Sequence, residues 1–182
     1  MTPGRRTLQY QSLDEVMPDV QRLIDGHTTV GNWSLAQICR HLATVMRRVV
    51  DLPASTPSDP SQWVGLEQKR QVFETGMIPE GLPGPPEVLP SETLTEREEA
   101  EELGKAIAYY QASPGPVIPH RIFGPLGRQE WDRLQLIHFS HHLSFAIPVV
   151  KVEPMSARSK SEWIAPRPSE RVSLLDDSAG VG

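Results

Sequence analysis

At 182 residues the chain is long enough for one domain with a sizeable core and a tail. Only 38% of it is hydrophobic, and 18 prolines with 13 glycines demand long irregular segments. The net charge of −5, with no dense lysine or arginine stripe, excludes nonspecific nucleic-acid binding, which works by neutralising phosphates.

The first expected element follows Ser12, which forms a capping-box pattern with Glu15. Leu13, Val16, Met17, Val20, Leu23 and Ile24 recur at helical spacing until Gly26 stops the run. The turn over 26–32 leads to the best-written helix. Ser34 and Gln37 make a second capping box, and Trp33 stands where a hydrophobic staple belongs. Leu35, Ile38, Cys39, Leu42, Val45, Met46 and Val49 give this helix one broad apolar face to about residue 50, ahead of Pro53. Residues 51–60 are expected to be a loop, and 62–75 a short extra helix. In the proline-rich 76–90 segment the missing donors and fixed φ angles bar a regular element, so it is expected to be a lid, a wall or a linker. Thr95 and Glu98 form a third capping box, opening a helix to about residue 112. The last helix is expected over 128–147, between Gly127 and Pro148. No strand alternation or hairpin signal appears, so the expected class is all-α. The helical domain is assigned to residues 1–152 and a polar C-terminal tail to 153–182.

The lone Cys39 makes no intramolecular disulfide, so an oxidising compartment is not required. Residues 1–10 carry charge without an apolar run behind them, and the apolar stretch 145–150 is far too short to span a bilayer. No signal peptide or membrane association is expected, and the cytoplasm is the expected location.

Four of the six histidines fall on the two best helices, three of them at 138, 141 and 142. Residues four apart on a helix stack on one face, about 5–6 Å apart at Cβ. His138 and His142 have the spacing with which two imidazoles reach one ion at about 2.0–2.1 Å. His141 can also pair with His138, but it points about 100° away from His142. Trp131, Leu134, His138, His142 and Phe145 line one stripe, and His41 lies between Ile38 and Val45 at the edge of its helix's apolar face. All three candidate ligands, His41, His138 and His142, are therefore expected to point inward, where helical bundles build metal sites. A single histidine on an apolar face is ordinarily a hydrogen-bonded core residue, and an HxxxH pair also arises by chance. Three inward histidines, however, would each need a separate buried partner, whereas one divalent ion satisfies all of them. Phe139 stands where a zincin helix carries its glutamate, which argues against a thermolysin-like protease.

Cys39 is about 200° around the helix from His41 and is expected to be a buried thiol. His27 and His120, beside glycine or proline, are assigned turn or surface roles. Trp33, Trp63, Trp131 and Trp163 are assigned to packing, and the acidic run 96–102 to a solvated helix N-terminus.

The residues Asn32-Trp33-Ser34-Leu35-Ala36-Gln37-Ile38-Cys39-Arg40-His41-Leu42 resemble the second helix of the DinB/YfiT-like superfamily, where a histidine is a metal ligand. His138-Phe139-Ser140-His141-His142-Leu143 resembles the HxxxH of its final bundle helix, and the likeness runs from about Gln9 to Val150. Residues 124–132 match a segment of a branch of uncharacterised function. The resemblance implies a DinB-like four-helix bundle with an extra short helix, long proline-rich loops and a C-terminal tail. It also implies a divalent ion on His41, His138 and His142. The superfamily includes thiol-dependent transferases and isomerases, so a small thiol or another small molecule is the implied partner. The Arg-Gly-Gln often following the last histidine is Leu143-Ser144-Phe145 here, so substrate contacts from that region do not carry over.

Three neutral histidines leave an ion's charge in place and a coordination position open, the arrangement of catalytic rather than closed structural sites. Zinc or nickel suits imidazole ligands. The expected function is activation of a small thiol or water, as a thiol transferase or hydrolase. The alternative is a non-catalytic bundle whose metal stabilises the fold or a homodimer interface.

Overall fold

A computed structural model of the protein describes residues 4–79, 86–90 and 95–149. Among these residues the chain is mostly helical. Its helices are α1 (Val16–Asp25, entered through a 3-10 turn at Leu13–Glu15), α2 (Leu35–Asp51), α3 (Leu66–Thr75), α4 (Glu96–Ala112) and α5 (Arg128–Leu143). The tail assigned to 153–182, with Trp163, lies outside the described residues. None of the described helices is long and apolar enough to cross a membrane.

The core takes up the apolar stripes expected on α1 and α2, whereas α5 enters it through Phe139 and Leu143, which lie on a different face from the Trp131, His138 and His142 stripe. Val16, Val20 and Leu23 of α1, Leu35, Ile38, Cys39, Leu42 and Met46 of α2, and Leu103, Ala106, Ile107 and Tyr110 of α4 are buried together with Phe139 and Leu143 of α5. The most extensive helix pairing is α2 against α4. At the start of α2 the capping box forms in full: Ser34 Oγ accepts from the Gln37 amide at 3.2 Å, and Gln37 Oε1 accepts from the Ser34 amide at 2.9 Å. The other two boxes do not form. Ser12 makes no side-chain cap because the chain enters a 3-10 turn there, and Glu15 Oε2 instead accepts from the Gln11 amide. Thr95 likewise makes no side-chain cap.

The all-α expectation needs one correction, because the last helix stops at Leu143 rather than 147. Residues Ala146–Pro148 form strand β2, which pairs antiparallel with β1 (His27–Thr29) in the register His27↔Pro148, Thr28↔Ile147, Thr29↔Ala146. Pro148 holds Ile147, the residue before it, in extended backbone, which suits the strand and bars helix at 147, four residues past the observed end of α5. The backbone groups so released are satisfied across the ribbon, with Val30 N–H donating to Phe145 O and Val149 N–H to Gly26 O, both at 2.9 Å. The two strands lie at opposite ends of the folded domain's sequence, so no hairpin turn signals them.

The N-terminal arm is a second unforeseen feature. Arg5 Nη2 donates to His141 O at 3.1 Å and Arg6 Nη2 to Leu143 O at 3.2 Å. Two guanidinium groups thus cap the carbonyl end of α5, where the helix dipole favours cations. Tyr10 N–H donates to Ser140 Oγ at 3.0 Å, which lays the arm along the helix that carries the histidine pair.

Candidate metal centre

Helix α2 presents His41, and α5 presents His138 and His142. One ring nitrogen from each lies within 4.8 Å of the other two. The ring centroids of His41 and His142 are 4.5 Å apart, those of His138 and His142 4.6 Å, and those of His41 and His138 5.2 Å. Among the described residues this cluster includes no carboxylate or thiol. His41 is buried, while His138 and His142 each keep part of their surface accessible.

His41 Nδ1 lies 2.8 Å from Val88 O. A carbonyl only accepts, so the ring proton sits on Nδ1 and the Nε2 lone pair faces the cluster. A backbone carbonyl of this kind sets the tautomer of a metal-bound histidine and fixes the ring's direction. Val88, buried in a 3-10 turn at Pro86–Val88, places this part of the proline-rich stretch against His41. His41 Nε2 and His138 Nε2 are 3.2 Å apart. Two nitrogens on one tetrahedral ion at about 2.0–2.1 Å sit roughly 3.3–3.4 Å apart, so this pair already has a ligating separation. Trp33, placed by sequence as a packing staple, also lies flat on His142 at 5.5 Å (interplanar 12°) and tilted against His41 at 4.9 Å.

Burial pulls the His41 pKa down, against an opposing pull from the Val88 hydrogen bond. Burial, and then the nearby His41, His141 and His120, hold His138 well below the ordinary imidazole value. His142 is held down in the same way, by burial first and then by His138, His41, His141 and Arg5. All three rings are thus neutral near pH 7, the state in which imidazole ligates. The sign for stability follows from linkage. With folded pKa values depressed, the unfolded chain binds protons before the folded one does, so stability is complete above the ordinary value of about 6.5 and falls below it. Urea titrations of metal-free protein are expected to show lower stability at pH 5.5 than at pH 7.5, approaching about 1.4 kcal/mol per pH unit for each histidine kept neutral. Equal stability at the two pH values would contradict the burial of these rings.

The remaining candidates go elsewhere. His141 stays outside the cluster, with its ring against Phe145 at 5.6 Å and its Nδ1 3.4 Å from Arg5 Nη2. His27 lies in β1, its Nδ1 2.8 Å from Leu23 O at the end of α1. His120 Nδ1 accepts from the amides of Ile122 and Phe123, both at 3.1 Å, which is a turn role. Cys39 is buried, and burial pushes its thiol up to about 12. Asp51 accepts from the Tyr109 hydroxyl at 2.6 Å, and Glu67 and Glu74 face Arg70 on the surface. Phe139, at the zincin glutamate position, is fully buried in the core. Phe145 falls on the histidine stripe by helical spacing, but α5 ends before it, and Arg5 lies over its ring at 4.3 Å.

A family model described as a protein of unknown function, DUF1569, matches residues 3–149. The chain belongs to the DUF1569 family. No curated protein and no solved structure shows a significant match to it. The DUF1569 match spans α1 to β2 and therefore contains all three clustered histidines, while its description assigns no activity. One inward residue escaped the sequence reading. Gln135 lies three positions before His138 and is buried, a polar residue where the stripe's spacing calls for an apolar one.

Proposed function

We propose that this chain is a metal-dependent enzyme of the DinB-like type, a four-helix bundle of α1, α2, α4 and α5 in which α3 is the extra helix. In this reading His41, His138 and His142 hold one divalent ion, zinc or nickel, and the protein acts on a small thiol or on water as a thiol transferase or hydrolase. The observation that carries it is the donor set: three neutral imidazoles converge, one with its tautomer set by Val88 O, and two keep accessible surface. A bound divalent ion would supply Lewis acidity, lowering the pKa of a thiol or water enough to make it a nucleophile near neutral pH.

The chain's own residues would prepare that chemistry. Val88 O holds the His41 ring in line, and the flat face of Trp33 shields one side of His142 from water. Arg5 and Arg6 anchor the end of α5, which keeps His142 in register with His138. A low local dielectric strengthens each of these polar contacts. Cys39 needs no oxidising compartment, in keeping with work in the cytoplasm.

The test is turnover. Zinc- or nickel-loaded protein is incubated with a panel of low-molecular-weight thiols and electrophilic acceptors, with a His41→Ala/His138→Ala variant as control. Product from the wild type alone, lost on chelation and restored by added ion, is the expected result. No turnover across the panel, together with a crystal structure showing the ion closed off by protein ligands, would transfer support to a metal that only stabilises the bundle or a dimer.

A further inference from the structure

Along α5, Trp131, Gln135, His138 and His142 fall at i, i+4, i+7 and i+11. At about 100° per residue these four lie within roughly 60° of arc, so they form one stripe running away from the histidine cluster. Trp131 and Gln135 are each 2% exposed, yet Trp131 Nε1 and Gln135 Oε1 have no hydrogen-bond partner among the described residues. A third such atom is Trp63 Nε1, whose indole ring lies against Gly124. Gly124 exchanges two backbone hydrogen bonds with His120, at 2.8 and 2.9 Å, and the His120 ring stands edge-on to Trp131 at 5.4 Å. The two indole donors therefore border the same His120 turn, and Gln135 stands on α5 one helical turn after Trp131 and one before His138. Buried polar groups are normally paired, because leaving one unpaired costs stability. Three such atoms are polar groups whose pairing a ligand would complete.

We propose that Trp131, Gln135 and Trp63 form a substrate subsite for a neutral amide group, whose carbonyl accepts from the indole N–H groups and whose N–H donates to Gln135 Oε1. The three protein groups are uncharged, and His120 beside them is kept neutral by burial, with a pKa near 4. A carboxylate would enter such surroundings without a countercharge and would meet Gln135 Oε1 as a second acceptor. The subsite rests on the metal-enzyme reading only for the reaction it serves, since its recognition chemistry is its own.

The experiment uses the full chain, labelled with 15N, and follows its four indole N–H resonances. Trp131→Phe identifies the resonance of interest, and acetamide and acetate are the probes. Acetamide is expected to move the Trp131 resonance saturably, with acetate much weaker, and Gln135→Leu to raise the half-saturating acetamide concentration about tenfold. Gln135→Leu should also raise Tm by about 3 °C, because it removes an unpaired buried acceptor. An unsaturable drift, an equal response to acetate, or a Tm that falls in Gln135→Leu would overturn the subsite. Zinc content is measured on the same samples, and the titration is run with and without the ion. Absence of zinc uptake would defeat the metal reading alone, leaving the metal-free titration to decide the subsite.

Discussion

Replacing any one of His41, His138 or His142 by alanine is expected to abolish stable uptake of the roughly one divalent ion that wild-type protein should retain after dialysis. The three imidazoles are the whole of the cluster among the described residues, so each substitution removes a third of the ligands. The adjacent histidines provide the sharpest control. His141→Ala should keep the metal, because its ring lies against Phe145 and Arg5, whereas His142→Ala should lose it. His27→Ala and His120→Ala should also keep it, since those rings serve the end of α1 and the turn over 120–124. Elemental analysis of each purified variant decides the matter. Equal metal in wild type and the triple variant would show that no such site exists, and loss in His141→Ala with retention in His142→Ala would move the pair to the i, i+3 spacing.

The second large effect is expected outside the histidine cluster, at Asp19. This carboxylate is 3% exposed and accepts from Arg6 Nη1 and from Arg22 Nη2, each at 3.0 Å, with the Tyr10 hydroxyl and Arg6 Nη2 as further donors. Asp19→Ala would leave the Arg6 guanidinium without a countercharge inside the fold, a change that typically costs about 3–5 kcal/mol. Urea denaturation measures it, and a loss below about 1 kcal/mol, the level of a surface pair, would refute the role assigned to Asp19. Burial alone would raise the Asp19 pKa, but hydrogen bonds from Arg6 and Tyr10 and the charges of Arg6 and Arg22 bring it below the ordinary value. Its contribution is therefore complete above the unfolded value of about 3.9 and is lost as pH falls through the lower folded value. Wild type should shed this increment in acid, and Asp19→Asn should not. Because Arg6 also donates to Leu143 O, next to His142, Asp19→Ala should weaken metal retention as well.

Features that depend on neighbours a few residues apart were legible in the sequence. The Ser34–Gln37 box and the apolar face of α2 placed His41 toward the core, and the HxxxH spacing placed His138 and His142 on one face of α5. Helical periodicity and side-chain capping act within one or two turns, so the residues that write them sit next to each other. Phe139 belongs to the same class, since its place in the HxxxH register identifies it without any structure.

The remaining features come from contacts between distant segments. The pairing of 27–29 with 146–148 shortens α5, moves Phe145 off the histidine stripe and turns a chain expected to be all-α into one with a small ribbon. The clasp of Arg5 and Arg6 on the end of α5, and the delivery of Val88 O to His41, join segments with no common periodicity. The unpaired atoms of Trp131 and Gln135 became visible only once both side chains were seen to be buried. Which histidines face inward, and on which helices, is thus a matter of local spacing that neighbouring residues write. How close the three come, and which backbone carbonyl orients one of them, depends on contacts between distant segments, and those are selected by packing and by the need to pair buried polar groups.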